Sequence, residues 1–159
     1  FDLSMEEPIV RPDGTEWLRL RVHGASFMLH QIRKMVALAV LAVRYQLNTE
    51  TIFTAAFSPD VCMNIPKAPA VGLYLDKAVF DGYTKYLEKQ TEKSAEGASP
   101  IDFWRVEQAR EHLKQTVIMP AIFGGEGPAA SSVGEFVRWI RGLYEHAYEF
   151  GYLLEHLEG

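Results

Sequence analysis

The residues best equipped for chemistry in this chain are cations. Arg33 and Lys34 stand side by side at the head of an apolar segment, with His30 just before them. Arg19 and Arg21 alternate with Leu18, Leu20 and Val22. No acid occurs from Trp17 to Thr49, and that window holds Arg19, Arg21, Arg33, Lys34 and Arg44. The whole chain is acidic, with net charge −5. A cationic surface inside an acidic protein suits a polyanion or a partner carboxylate. Arg33 keeps its charge beside an apolar helix stripe, so it either reaches water or meets a carboxylate, which its planar fork can grip by both oxygens. Lys34 follows by one residue and points about 100° away around the helix. For Lys34, contact with a polyanion and plain surface charge both stay open. Arg19 and Arg21 share a strand face and suit phosphates better.

Those cations need elements to hold them. Residues 17–22 alternate apolar and cationic side chains, the period of a strand with one face buried and one face carrying Arg19 and Arg21. Gly24 closes that strand and Ser26 can cap a helix from Phe27 to about Gln46. Leu29, Ile32, Val36, Ala39, Val40 and Val43 form its expected inward stripe. Asn48 or Thr49 caps a short helix over residues 50–56. Pro59, Pro66 and Pro69 make residues 57–70 mainly loop. Residues 73–80 read as a second strand, with Leu73, Leu75 and Val79 facing the core. Residues 84–99 are polar and charged, a solvated helix and linker. Ser99, Pro100 and Asp102 carry the start signature of a helix running to about Gln115. Residues 119–130, rich in Gly and Pro, are expected as loop, and Ser132 with Glu135 as the capping box of a last helix. Tyr144, Tyr148 and Tyr152 recur along that helix, where packing is the expected role.

The bulk numbers set limits. A chain of 159 residues is long enough for one domain with a real core. Apolar content of 48% and charged content of 23% are ordinary for a globular protein. The single Cys62 cannot form an internal disulfide and fits a reducing, intracellular compartment. The acidic opening residues do not resemble a secretion signal. Residues 35–43 form the apolar run, far short of the roughly 20 residues of a membrane span, so no membrane association is expected. His23, His30 and Cys62 fit no standard metal spacing, and no metal is expected. The chain starts without Met and is expected to be a piece of a longer protein.

Several stretches resemble a known family. Residues 26–36, Ser-Phe-Met-Leu-His-Gln-Ile-Arg-Lys-Met-Val, residues 65–75, Ile-Pro-Lys-Ala-Pro-Ala-Val-Gly-Leu-Tyr-Leu, and residues 79–83, Val-Phe-Asp-Gly-Tyr, are similar in kind and order to the C-terminal half of TruA-type tRNA pseudouridine synthases, most closely the eukaryotic ones. A weaker similarity lies at residues 117–122, and the whole spans roughly Glu6 to Ile140. Ala37 and Ala70 stand where many relatives carry Gly.

The resemblance implies an α+β fold, an antiparallel sheet covered on one face by helices. Residues 1–83 would be the C-terminal half of the catalytic domain, residues 84–99 a polar helix or linker, and residues 100–159 a helical extension packed on it. In the family two such halves join into one sheet with the RNA cleft between them. The reaction needs no cofactor. A uridine leaves the stack, its glycosidic bond breaks, the uracil turns and carbon five rejoins the ribose. Arg33 matches the arginine that pairs with the catalytic aspartate, and Leu73 the leucine of the pocket wall. Arg19, Arg21, His30 and Lys34 are the expected RNA contacts. The aspartate itself belongs to an Arg-Thr-Asp-Lys-Gly-Val-His type motif that is absent here; Asp2, Asp13, Asp60, Asp76, Asp81 and Asp102 lack those neighbours. Expected partners are therefore tRNA, other structured RNAs, and the missing N-terminal half. The resemblance suggests the nucleus, the mitochondrion or both. A non-catalytic RNA-binding or interaction module is the alternative, decided by whether the upstream sequence holds the aspartate motif.

Overall fold

A computed structural model describes residues 1–61, 63–90, 99–101, 103–124 and 131–145. These form two compact units, one of residues 1–68 with 143–145 and one of residues 69–142. The architecture is mixed, with helices and small antiparallel sheets, as an α+β fold requires.

The first unit opens with an irregular hairpin. Strand β1 (Asp2–Met5) pairs antiparallel with β4 (Leu20–His23), setting Leu3 opposite Val22 and Met5 opposite Leu20. Strands β2 (Ile9–Val10) and β3 (Glu16–Trp17) pair farther along, Ile9 opposite Trp17. Their loop turns at Pro12-Asp13-Gly14, where Gly14 has φ 79° and its N–H donates to the Arg11 carbonyl at 2.9 Å. The expected strand over residues 17–22 is thus split. Glu6 N–H donates to the Arg19 carbonyl at 3.0 Å. That register leaves two residues, Glu7 and Pro8, opposite the single Leu18, a bulge at a proline that has no N–H for the ladder. Alternation survives the bulge, but Leu18 and Leu20 remain exposed, so the expected buried face of this strand is corrected.

Helix α1 spans Gln31–Arg44. It starts later than Ser26 because Phe27 is occupied elsewhere: its ring lies against Gly24, where an added Cβ would come 2.8 Å from Cζ, and meets Phe1 edge-on. His30, at φ 62°, turns the chain into the helix, and Gln31 Oε1 accepts the Met28 N–H at 2.9 Å. The helix ends in a Schellman-type turn with Gln46 at φ 52° and Leu47 N–H donating to the Ala42 carbonyl at 3.0 Å. The expected inward stripe is also corrected. Ala37, Leu38 and Leu41 are the buried residues of α1, whereas Leu29, Ala39 and Val43 are exposed. Residues 35–43 are apolar on every side, so periodicity could not tell which side faces in. Helix α2 (Thr49–Phe57) is capped by Asn48, whose Oδ1 accepts the Thr51 N–H at 3.1 Å. Ile52, Pro66, Ala68 and Leu143 are the other buried residues of this unit among those described.

In the second unit, residues 73–80 form no strand among the described residues, which corrects the second expected strand. A strand needs a ladder partner for its backbone groups. Instead Leu73 N–H closes a turn on the Ala70 carbonyl at 2.9 Å, and Phe80 stacks on Phe103. Helix α3 (Asp81–Gln90) is solvated. The next helix begins not at Pro100 but with a 3₁₀ turn, Trp104–Val106, then runs as α4 (Glu107–Leu113), a π-turn (Lys114–Ile118) and α5 (Met119–Phe123). The expected loop at residue 119 is therefore helical for one more turn. Pro120 lacks an N–H, and Met119 N–H reaches back five residues to the Lys114 carbonyl, so the turn widens rather than breaks. Gly124, at φ 74°, ends it. Helix α6 spans Ser131–Glu145. Phe136 lies close over Gly72, where a Cβ would stand 3.0 Å from the ring. Cys62, Asp102, Tyr148 and Tyr152 lie outside the described residues.

Candidate functional site

Arg33 sits in the first turn of α1, half-buried. Its Nε–H donates to the Ala68 carbonyl at 2.6 Å, and the Ala68 N–H donates to the Arg33 carbonyl at 3.2 Å. Among the described residues no carboxylate lies within 4.0 Å of its guanidinium. The same holds for Lys34 and Lys67, both exposed. Residue 67 was not singled out in the sequence, although it lies in the Ile-Pro-Lys-Ala-Pro stretch.

His30 reports on this cluster. Burial pushes its imidazole below the usual histidine range, and Lys67, Arg33 and Lys34 push it further down. Four basic groups therefore share one field at the N-terminus of α1, whose dipole adds partial positive charge. The arrangement favours an anion electrostatically, and Arg33 offers it donors.

Arg19 and Arg21 follow a different logic. Ladder pairing puts Glu6 opposite Arg19 and diagonal to Arg21 on one face. One oxygen of Glu6 pairs with Arg19 Nη1 at 2.8 Å and the other with Arg21 Nη2 at 2.6 Å. The charge of this pair is thus partly answered from within the chain. The acid-free window hid this, because Glu6 lies outside it in sequence and enters through strand pairing. Leu73 belongs to the second unit and is 47% exposed. Among the described residues no group of three or more His, Cys, Asp or Glu could hold a metal, and no helix is long and apolar enough to cross a membrane.

The family described as tRNA pseudouridine synthase matches residues 5–81, and with relatives 43% and 46% identical over 72% of its length the chain belongs to that family. Curated relatives include "tRNA pseudouridine synthase 1" of Yarrowia lipolytica, 46% identical over 72% of this chain, and that of Candida albicans, 43% identical over 72% of this chain. "tRNA pseudouridine(27/28) synthase" of Saccharomyces cerevisiae is 48% identical over 52% of this chain. The matched stretch spans 20%, 17% and 22% of those relatives, so this chain corresponds to about a fifth of their length. No solved structure matches the chain.

Proposed function

We propose that this chain carries the Arg33-bearing, C-terminal half of the catalytic domain of a tRNA pseudouridine synthase and that the complete protein converts uridine to pseudouridine in tRNA and in other structured RNAs. One observation carries this reading. Arg33 lies in the family-matched segment with its guanidinium held by a neutral carbonyl and facing no acid among the described residues. A carboxylate from an N-terminal half would complete the pair. In a closed nucleotide pocket that carboxylate would tend to gain a proton, and a guanidinium keeps it ionised and aimed. The net reaction is an isomerisation: the bond from ribose to uracil nitrogen breaks, a bond from ribose to carbon five forms, and the proton lost from carbon five is matched by one gained at the ring nitrogen. Leu73 would line the pocket. His30, Lys34 and Lys67 would meet phosphate, with Arg19 and Arg21 beside Glu6 as weaker contacts.

Purified complete protein incubated with unmodified tRNA and assayed for pseudouridine tests the reading. The complete protein should turn over, and the 159-residue chain alone should not. Turnover by the isolated chain would show that the carboxylate is already present in it. RNA binding without turnover by the complete protein would favour the non-catalytic module.

A further inference from the structure

Arg33 is fastened twice to one residue, across 35 positions of sequence. Its side chain gives Nε–H to the Ala68 carbonyl, and its own carbonyl takes the Ala68 N–H. Ala68 is 4% exposed, and the prolines on both sides of Lys67-Ala68, Pro66 and Pro69, are buried. Proline restricts the residue before it to extended backbone angles, so Pro69 sets the direction of the Ala68 carbonyl. A guanidinium can grip a carboxylate side-on, through Nε and one Nη, or end-on, through both Nη groups. With Nε engaged at 2.6 Å, only the end-on mode is left. The acceptor is also neutral. It fixes the orientation of Arg33 without answering its charge.

We infer that the Ala68–Pro69 peptide is a positioning element for Arg33: its carbonyl holds Nε so that both Nη groups face outward for end-on pairing with a carboxylate or an anionic substrate group. The partner's identity rests on the function proposed above; the clip does not. Pro69→Ala leaves the carbonyl in place but frees the backbone angle that aims it.

The first measurement needs no activity. In the ¹H–¹⁵N spectrum of the 159-residue chain, the Arg33 Nε–H signal should be protected from solvent exchange. It should lose protection in Pro69→Ala while the remaining signals keep their positions. An unprotected Nε–H in the wild type, or equal protection in the variant, overturns the inference. The second uses the complete protein with tRNA. Pro69→Ala should lower kcat roughly tenfold with KM unchanged, as misplacement of an aligned group does. Combined with Arg33→Ala it should cost nothing beyond Arg33→Ala alone. A merely structural proline would instead lower Tm and add its loss to that of Arg33→Ala, which would also overturn the inference. A complete wild-type protein without synthase activity would remove the proposed function, while the exchange measurement would still decide the clip.

Discussion

Two groups of cations, one in each unit, are treated in opposite ways. In the second, Arg110 Nη1 meets Asp76 Oδ1 at 2.9 Å and its other donors grip both oxygens of Glu107. Lys114, only 6% exposed, lies 3.4 Å from the same Asp76 oxygen and 3.8 Å from Glu111. Both Arg110 and Lys114 face acids, because a buried charge left alone costs several kcal/mol. In the first unit, Arg33, Lys34, Lys67 and His30 gather with no acid among the described residues, at half-buried or exposed positions where water makes this tolerable. The lesson is that charge alone does not mark a site. A matched cation holds a fold together, and an unmatched, oriented one is available to a partner. Arg19 and Arg21, sharing Glu6, fall between.

The comparison can be broken most decisively at Arg33. In the complete protein, Arg33→Lys should reduce pseudouridine formation by roughly 10²-fold or more, and Arg33→Ala further, since losing one partner of a buried ion pair costs about 3–5 kcal/mol. Lysine keeps the charge but cannot hold the Ala68 carbonyl and also present two donors. Stability should barely change, because one hydrogen bond to a carbonyl contributes about 1 kcal/mol. Wild-type turnover by either variant would remove Arg33 from the site. The mirror experiment is Asp76→Ala. It leaves Arg110 with Glu107 alone and the buried Lys114 with only the longer contact to Glu111, and should cost roughly 2–3 kcal/mol, below the ~3–5 kcal/mol of a fully buried pair because the Asp76 side chain is 35% exposed. Tm should fall by roughly 4–10 °C. A Tm within a degree of wild type would mean that this network, too, is dispensable.

A smaller effect is expected at Glu6. Glu6→Gln should release Arg19 and Arg21 to RNA, raising tRNA affinity a few-fold at low salt and steepening its salt dependence by up to ~0.7 per cation freed. Exposed ion pairs contribute about 0–1 kcal/mol, so Tm should hold. Unchanged affinity and slope would show that this strand face does not meet RNA.

Much of this was legible in the sequence, and what was not has physical causes. The motif residues pointed to the family, to an apolar helix through Arg33, though not to its start at Gln31, and to the Asn48 cap, because these depend on local chemistry. The inward face of α1 was not legible, since Met35 to Val43 is apolar all round and any face could be buried. The strand expected from Leu73 carried the right residues, but a strand exists only with a partner for its backbone. The answer of Glu6 to Arg19 and Arg21 depended on register, and the clip on Arg33 on a backbone carbonyl, which no side-chain pattern reveals. Lys67 could have been noticed from its place between two motif residues, but only folding brings its field onto His30.

His30 offers the finest test of the unmatched cluster. Burial first, then Lys67, Arg33 and Lys34, holds its folded-state affinity for a proton below that of an ordinary histidine. As pH falls through the usual histidine range near 6.5, the unfolded chain takes up its proton before the folded one does. The stability contributed by this group is therefore full above that range and declines as pH drops toward the lowered folded value, below which it is flat. A bound phosphate reverses the sign locally, because an anion among these cations favours the imidazolium. RNA binding should then take up a proton at His30, and affinity should rise as pH falls from about 8 to about 5, beyond what the free protein's stability would suggest. His30→Asn keeps a residue that tolerates φ 62° but cannot titrate. It should flatten both profiles relative to wild type while leaving the high-pH values close. Urea midpoints and tRNA titrations across that pH range measure the two. Parallel profiles for wild type and variant would place the titrating group elsewhere and leave the cluster around Arg33 without its phosphate.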